Sequence, residues 1–181
     1  MGYSGRLNKK SQVDMEVNKH ELINNTLAIL GEALDRDLVW EALQMPGSGV
    51  AKINSRSIPA GHESLALVGD RIASLIMAVD SLLEGSGNGM TTTIQQNYQN
   101  NDKLAAICDE ADLTACINRN PTHEGDLGGR TKKATVKALI GAAYLTDNDT
   151  EMAKKVMKKL GVLKWEPVVT VAESDVVAGA D

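Results

Sequence analysis

Two carboxylates, Glu63 and Asp70, stand seven residues apart in the most regular helical pattern of the chain, so their side chains share one helix face. Oxygens arranged this way are what a hard divalent cation such as magnesium takes as ligands. Read alone, the pair has a plainer meaning: Glu63 is a helix-start acid favoured by the macrodipole, and Asp70 a solvated surface residue. The other reactive groups are dispersed. His20, His62 and His123 lack metal-ligand spacing and read as exposed loop or helix-start residues. Cys108 and Cys116 form no CxxC pair and read as small buried thiols. Gly85-Ser86-Gly87-Asn88-Gly89 is not followed by Lys-Ser/Thr, so it reads as a flexible turn and not as a phosphate cradle. Arg130-Thr131-Lys132-Lys133 could touch a phosphate backbone or simply form a solvated helix start.

The elements that must position these residues are helices. From Glu63 to Leu83 the apolar residues Leu65, Val68, Ile72, Leu75, Ile76, Val79 and Leu83 recur at helical spacing. Leu22, Ile23, Leu27 and Leu30 mark an earlier helix that Gly31 can close. Leu38, Val39, Ala42 and Leu43 mark another, with Asp37 as its cap and Pro46, Gly47 and Gly49 at its end. A loop then runs from Ser48 to Gly61. Beyond the glycine-rich break, Thr91 to Thr93 can start a helix, and Leu104 to Ala111 supports another. Asn118 to Gly129 is turn-rich, and the last helices span Thr131 to Leu145 and Asp149 to Leu160, with Gly161 at the C-cap. Nothing calls for a sheet except a weak Val168 to Val171 run, so the expected class is all-α. Residues 1–18 read as a flexible N-terminal arm, 19–163 as one helical domain, and 164–181 as a C-terminal tail.

Composition points the same way. With no Phe, three Tyr and two Trp, the core must come from Leu, Ile, Val, Ala and Met, a palette that favours helices. The net charge of −5 speaks against strong sequence-independent nucleic-acid binding, which needs a basic face. No stretch reaches the apolar length of a membrane span, and the first residues lack a signal-peptide core, so the cytoplasm is the expected location.

Two segments carry a family resemblance. His62-Glu63-Ser64-Leu65-Ala66-Leu67-Val68-Gly69-Asp70 is similar to the signature helix of ribonuclease III enzymes, roughly Asn-Glu-Arg-Leu-Glu-Phe-Leu-Gly-Asp. Gly128-Gly129-Arg130 and then Ala134-Thr135-Val136-Lys137-Ala138-Leu139-Ile140-Gly141-Ala142-Ala143-Tyr144-Leu145 resembles the family's Gly-Gly and Asp-Ala-Leu-Glu-Ala-Leu-Ile-Gly-Ala-Ile-Tyr-Leu. Between them, Asn100-Asn101-Asp102-Lys103-Leu104-Ala105-Ala106-Ile107 resembles the family's Ser-Asn-x-x-Leu-Ala-x-Ile helix, and the likeness extends over residues 20 to 163.

The resemblance implies a ribonuclease III endonuclease-domain fold, with no appended double-stranded-RNA-binding domain. In the family, carboxylates on two facing helices hold magnesium, which activates water and stabilises charge at the scissile phosphate. Here those positions read Glu63, Ala66, Asp70, Ala134 and Lys137: the first helix keeps two acids of three and the second keeps none. Ala66 and Ala134 merely remove ligands, whereas Lys137 brings an ammonium to where a cation should sit. The expectation is that Lys137 replaces the metal and pairs with Asp70, Glu63 or both.

The implied function is therefore a catalytically degenerate, dimeric structural or partner-binding protein in RNA metabolism, with no resident cofactor. Its partner would be a second copy or another ribonuclease III-like chain, met through Leu67, Val68, Arg71, Ile72 and Leu75. Two alternatives stand beside it. One is a magnesium-dependent double-stranded-RNA endonuclease whose Glu63 and Asp70 recruit an acid from elsewhere in the chain, such as Glu110, Asp112 or Asp126, or from a partner subunit. The other is a non-cleaving double-stranded-RNA binder that uses Arg130, Lys132 and Lys133.

Overall fold

The computed structural model describes residues 9–85, 98 and 100–163. Among these, six α-helices and one short hairpin form a mostly helical fold. The helices are α1 (Lys9–Leu30), α2 (Arg36–Ala42), α3 (Glu63–Leu83), α4 (Asn101–Glu110), α5 (Gly129–Asp147) and α6 (Thr150–Lys159). A 3-10 turn, Leu113–Cys116, follows α4.

Helix α5 is the hub. Every residue from Thr135 to Ala143 is buried, and α2, α3, α4 and α6 all pack against it. A helix covered on all sides must be apolar all round. Val136, Ala138, Leu139, Ile140, Ala142 and Ala143 meet that need, and Lys137 does not.

Where α5 crosses α3, Gly69 and Gly141 bring the two backbones together. A Cβ at Gly69 would lie 1.7 Å from the Lys137 carbonyl oxygen, and one at Gly141 would lie 2.5 Å from that of Leu65. Neither position can carry a larger side chain without moving a helix.

Helix ends follow local chemistry. The Asp35 side chain accepts from the Asp37 and Leu38 amides, both at 2.9 Å, and so starts α2. The cap is Asp35 and not Asp37, whose own side chain turns to Asn54 instead. Asn100 and Asp149 cap α4 and α6 through the Asp102 and Glu151 amides. After α6, Gly161 at φ 77 lets the Val162 amide reach back to the Met157 carbonyl at 2.8 Å.

Two expectations from sequence need correction. The 48–61 loop contains a hairpin, β1 (Lys52–Ile53) paired antiparallel with β2 (Arg56–Ser57), turning at Asn54 with φ 51. Its strands are too short to show alternation. Helix α1 begins at Lys9, inside the stretch read as a loose arm. Residues 9–18 contain neither Gly nor Pro, and a polar helix can run through them without any apolar stripe. The Thr91–Thr93 helix start, the Val168–Val171 run and the 164–181 tail lie outside the described residues.

Candidate functional site

Helices α3 and α5 place the sequence-derived candidates opposite one another. Asp70, on α3, accepts from the Lys137 ammonium of α5 through Oδ1. Both side chains are largely buried, at 17% and 10% exposure, so water screens the pair little. Arg71 approaches the other oxygen at 4.0 Å. The Lys137 Nζ also sits 4.9 Å from the ring centroid of Tyr98, a favourable cation–π placement.

Tyr98 is fully buried, and its hydroxyl has no hydrogen-bond partner among the described residues. Burial, and then the charge of Asp70, push its pKa above the ordinary phenol range, so it stays protonated. Sequence reasoning missed this residue because it lies in a polar Gln-Asn-Tyr-Gln-Asn run without apolar periodicity.

Glu63 takes a different partner. As the first residue of α3 it meets Arg130 of α5 at 3.1 Å, and both side chains are exposed. The acids of α3, seven residues apart, are thus each answered by a base of α5, and those bases are also seven apart. Ala66 is buried and Ala134 partly so; neither offers an oxygen.

A divalent cation takes several oxygens on one centre, whereas here the Asp70 carboxylate faces Lys137 and that of Glu63 faces Arg130. Among the described residues no three or more His, Cys, Asp or Glu side chains are grouped so that they could hold a metal ion, and Glu110, Asp112 and Asp126 belong to no such group.

The basic run at the start of α5 is engaged as well. Lys132 pairs with Asp109 of α4 at 2.7 Å, which together with Thr114 holds that carboxyl below its usual range. The pKa of Lys133 is lowered by burial and then by its neighbour Lys137, with Arg130 adding a smaller push. Two of the three residues read as RNA contacts therefore spend their charge within the molecule.

The outer face of α3 carries an apolar stripe interrupted by Arg71. Leu67 and Leu75 are 58% and 51% exposed, Arg71 is exposed, and Val68 and Ile72 are half-buried. The stripe continues to Val79, Leu82 and Leu83, beyond the residues picked from sequence. Their helical spacing from Leu75 was the available signal.

His62 corrects another expectation. It is 1% exposed, beside the Ala42 carbonyl and the Thr135 hydroxyl, and burial pushes its pKa down to about 4. His20 is exposed but lies in the middle of α1, not in a loop or at a helix start, and His123 is half-buried in a loop. Both cysteines are buried, and burial pushes the Cys108 thiol up to about 11. Among the described residues no helix is long and apolar enough to cross a membrane. The chain matches no protein-family model and no curated protein.

Proposed function

We propose that this chain is a catalytically degenerate ribonuclease III-like domain that serves as a dimeric structural or partner-binding protein in RNA metabolism. The observation that carries this reading is the Lys137–Asp70 pair. The resemblance puts a metal-binding carboxylate at position 137, and the residue there is a buried ammonium already bonded to one of the two remaining acids. An ammonium supplies the positive charge that keeps α3 and α5 together, but it cannot activate water or bridge a phosphate as a metal does. The fold kept its packing, including the Gly69–Gly141 crossing, and lost its cation.

The exposed α3 stripe supports the dimeric part of the reading, since an apolar stripe is costly to leave in water. The intramolecular pairing of Arg130 and Lys132, with a net charge of −5, weighs against tight duplex binding.

Incubating the purified protein with long duplex RNA in magnesium and in manganese tests the proposal. No cleavage, no shift at moderate salt, and a dimer by light scattering are expected. Cleavage that Asp70→Ala abolishes would establish an enzyme instead, and a shift without cleavage would establish a binder.

A further inference from the structure

We propose that the 52–57 hairpin is a proton-controlled clasp on α2, closed when Glu41 takes up a proton and loosened when Glu41 is ionised. Glu41 is fully buried on α2 and faces Arg56 of the hairpin. One carboxylate oxygen accepts from the Arg56 guanidinium of β2; the other, Oε1, has no donor among the described residues. Arg56 is itself 49% exposed, so water screens its side of the pair. A buried carboxylate with one such partner and one empty acceptor is poorly compensated. Burial accordingly raises the Glu41 pKa, with Arg56 acting in the opposite direction.

The other charged groups around α2 are occupied elsewhere. Asp37, one turn earlier, faces Lys19 of α1 at 3.7 Å and Asn54 of the hairpin at 2.6 Å. Arg36 donates to Asn24 of α1, and His62, leading into α3, meets α2 at the Ala42 carbonyl. From α5, Lys137 is committed to Asp70, and the uncharged Thr146 accepts from the Asp35 amide. Arg56 is thus the charge that faces Glu41.

Little else holds the hairpin down. Its strands have two residues each, its buried apolar side chain is Ile53, and its second polar tie is Asn54 to Asp37. Segments with so few ties open well below the cost of global unfolding. Lifting the hairpin would wet Glu41 and return it to the ordinary carboxylate range. The closed form therefore binds a proton more tightly than the open form, and by linkage acid closes the clasp while ionisation favours release. The hairpin also walls a cleft of about 310 Å³ with Asp35, Asp37 and Leu38, so its position sets the shape of that cleft. None of this depends on the ribonuclease III reading.

Amide hydrogen exchange on the full chain, from about pH 4 to 8 and expressed as protection factors, tests the clasp. The reporter is the Ile58 amide, which closes the hairpin on the Ala51 carbonyl at 2.9 Å, and α5 amides serve as the control. Ile58 protection is expected to rise on acidification by up to about tenfold per pH unit between the open and closed Glu41 midpoints. Glu41→Gln keeps the hairpin protected at the alkaline end and removes the dependence. Arg56→Ala, at a half-exposed position that leaves the core intact, moves the closing midpoint to higher pH. Wild-type protection that is flat or falls on acidification overturns the clasp. So does an unmoved midpoint in Arg56→Ala, which decides the matter even if Glu41→Gln does not fold.

Discussion

Replacing Asp70 by Asn keeps the side chain's shape and removes the charge that faces Lys137. The ammonium, on a side chain only 10% exposed, then keeps a neutral amide oxygen and the Tyr98 ring but no counter-charge among the described residues. Stranding a buried charge costs about 3–5 kcal/mol, and the residual exposure of the Lys137 side chain sets this case near about 3 kcal/mol. Lys137→Met strands Asp70 instead. That carboxylate is 17% exposed and retains Arg71 at 4.0 Å, so the cost falls to about 2 kcal/mol. The double variant has neither charge and should lie within about 1 kcal/mol of wild type, because removing a buried pair together is close to neutral. Urea unfolding at neutral pH, followed by far-UV circular dichroism, gives all four corners of the cycle. The signature is a coupling energy of at least about 2 kcal/mol. Losses that simply add, to within about 0.5 kcal/mol, would refute the claim that Lys137 stands in for a missing cation.

Three further outcomes follow from the same geometry. Lys137→Glu puts a carboxylate beside Asp70 and should cost at least about 3 kcal/mol in chelator; millimolar magnesium or manganese should recover much of it in a thermal melt while leaving wild-type Tm unmoved, and absence of recovery would mean the site cannot take a cation. Gly69→Ala should cost about 3 kcal/mol or more, since its Cβ would meet the Lys137 carbonyl at 1.7 Å, whereas Gly128→Ala, with nothing within 4 Å, should stay within about 0.5 kcal/mol by denaturant midpoint. The His62 pKa is depressed to about 4 in the folded chain, so its contribution is complete above the unfolded value near 6.5 and is lost as pH falls through 4. Stability should decline by up to about 1.4 kcal/mol per pH unit across that window, and His62→Gln should flatten the decline in urea midpoints measured at several pH values.

Much of the fold is legible in local pattern. The apolar repeat of 63–83 reports α3 because every third or fourth residue must face the core, and the density of Ala, Leu and Ile in 134–145 marks a helix covered all round. Gly31 and Gly161 end helices where the left-handed conformation is needed, and each is readable beside its own helix. The hairpin and the first turns of α1 were not legible, since neither carries a period that burial imposes. Polar residues whose environment is made by distant segments were illegible too. His62 is buried beside the Ala42 carbonyl and the Thr135 hydroxyl, Glu41 is buried and meets Arg56 of the hairpin, and Tyr98 ends beneath Lys137 although its neighbours in sequence are all polar.

The candidate site divides along the same line. Residue types and their seven-residue spacing were enough to say that two acids share one face of α3, and that a lysine stands on the helix compared with the family's second set of carboxylates. Which acid that lysine meets is a question about two positions 67 residues apart. The crossing of α3 on α5 at Gly69 and Gly141 answers it, bringing Lys137 to Asp70 and leaving Glu63 to Arg130. Helical period is a local property of the chain, whereas the partner of a charge depends on which helices can approach closely enough to exclude water.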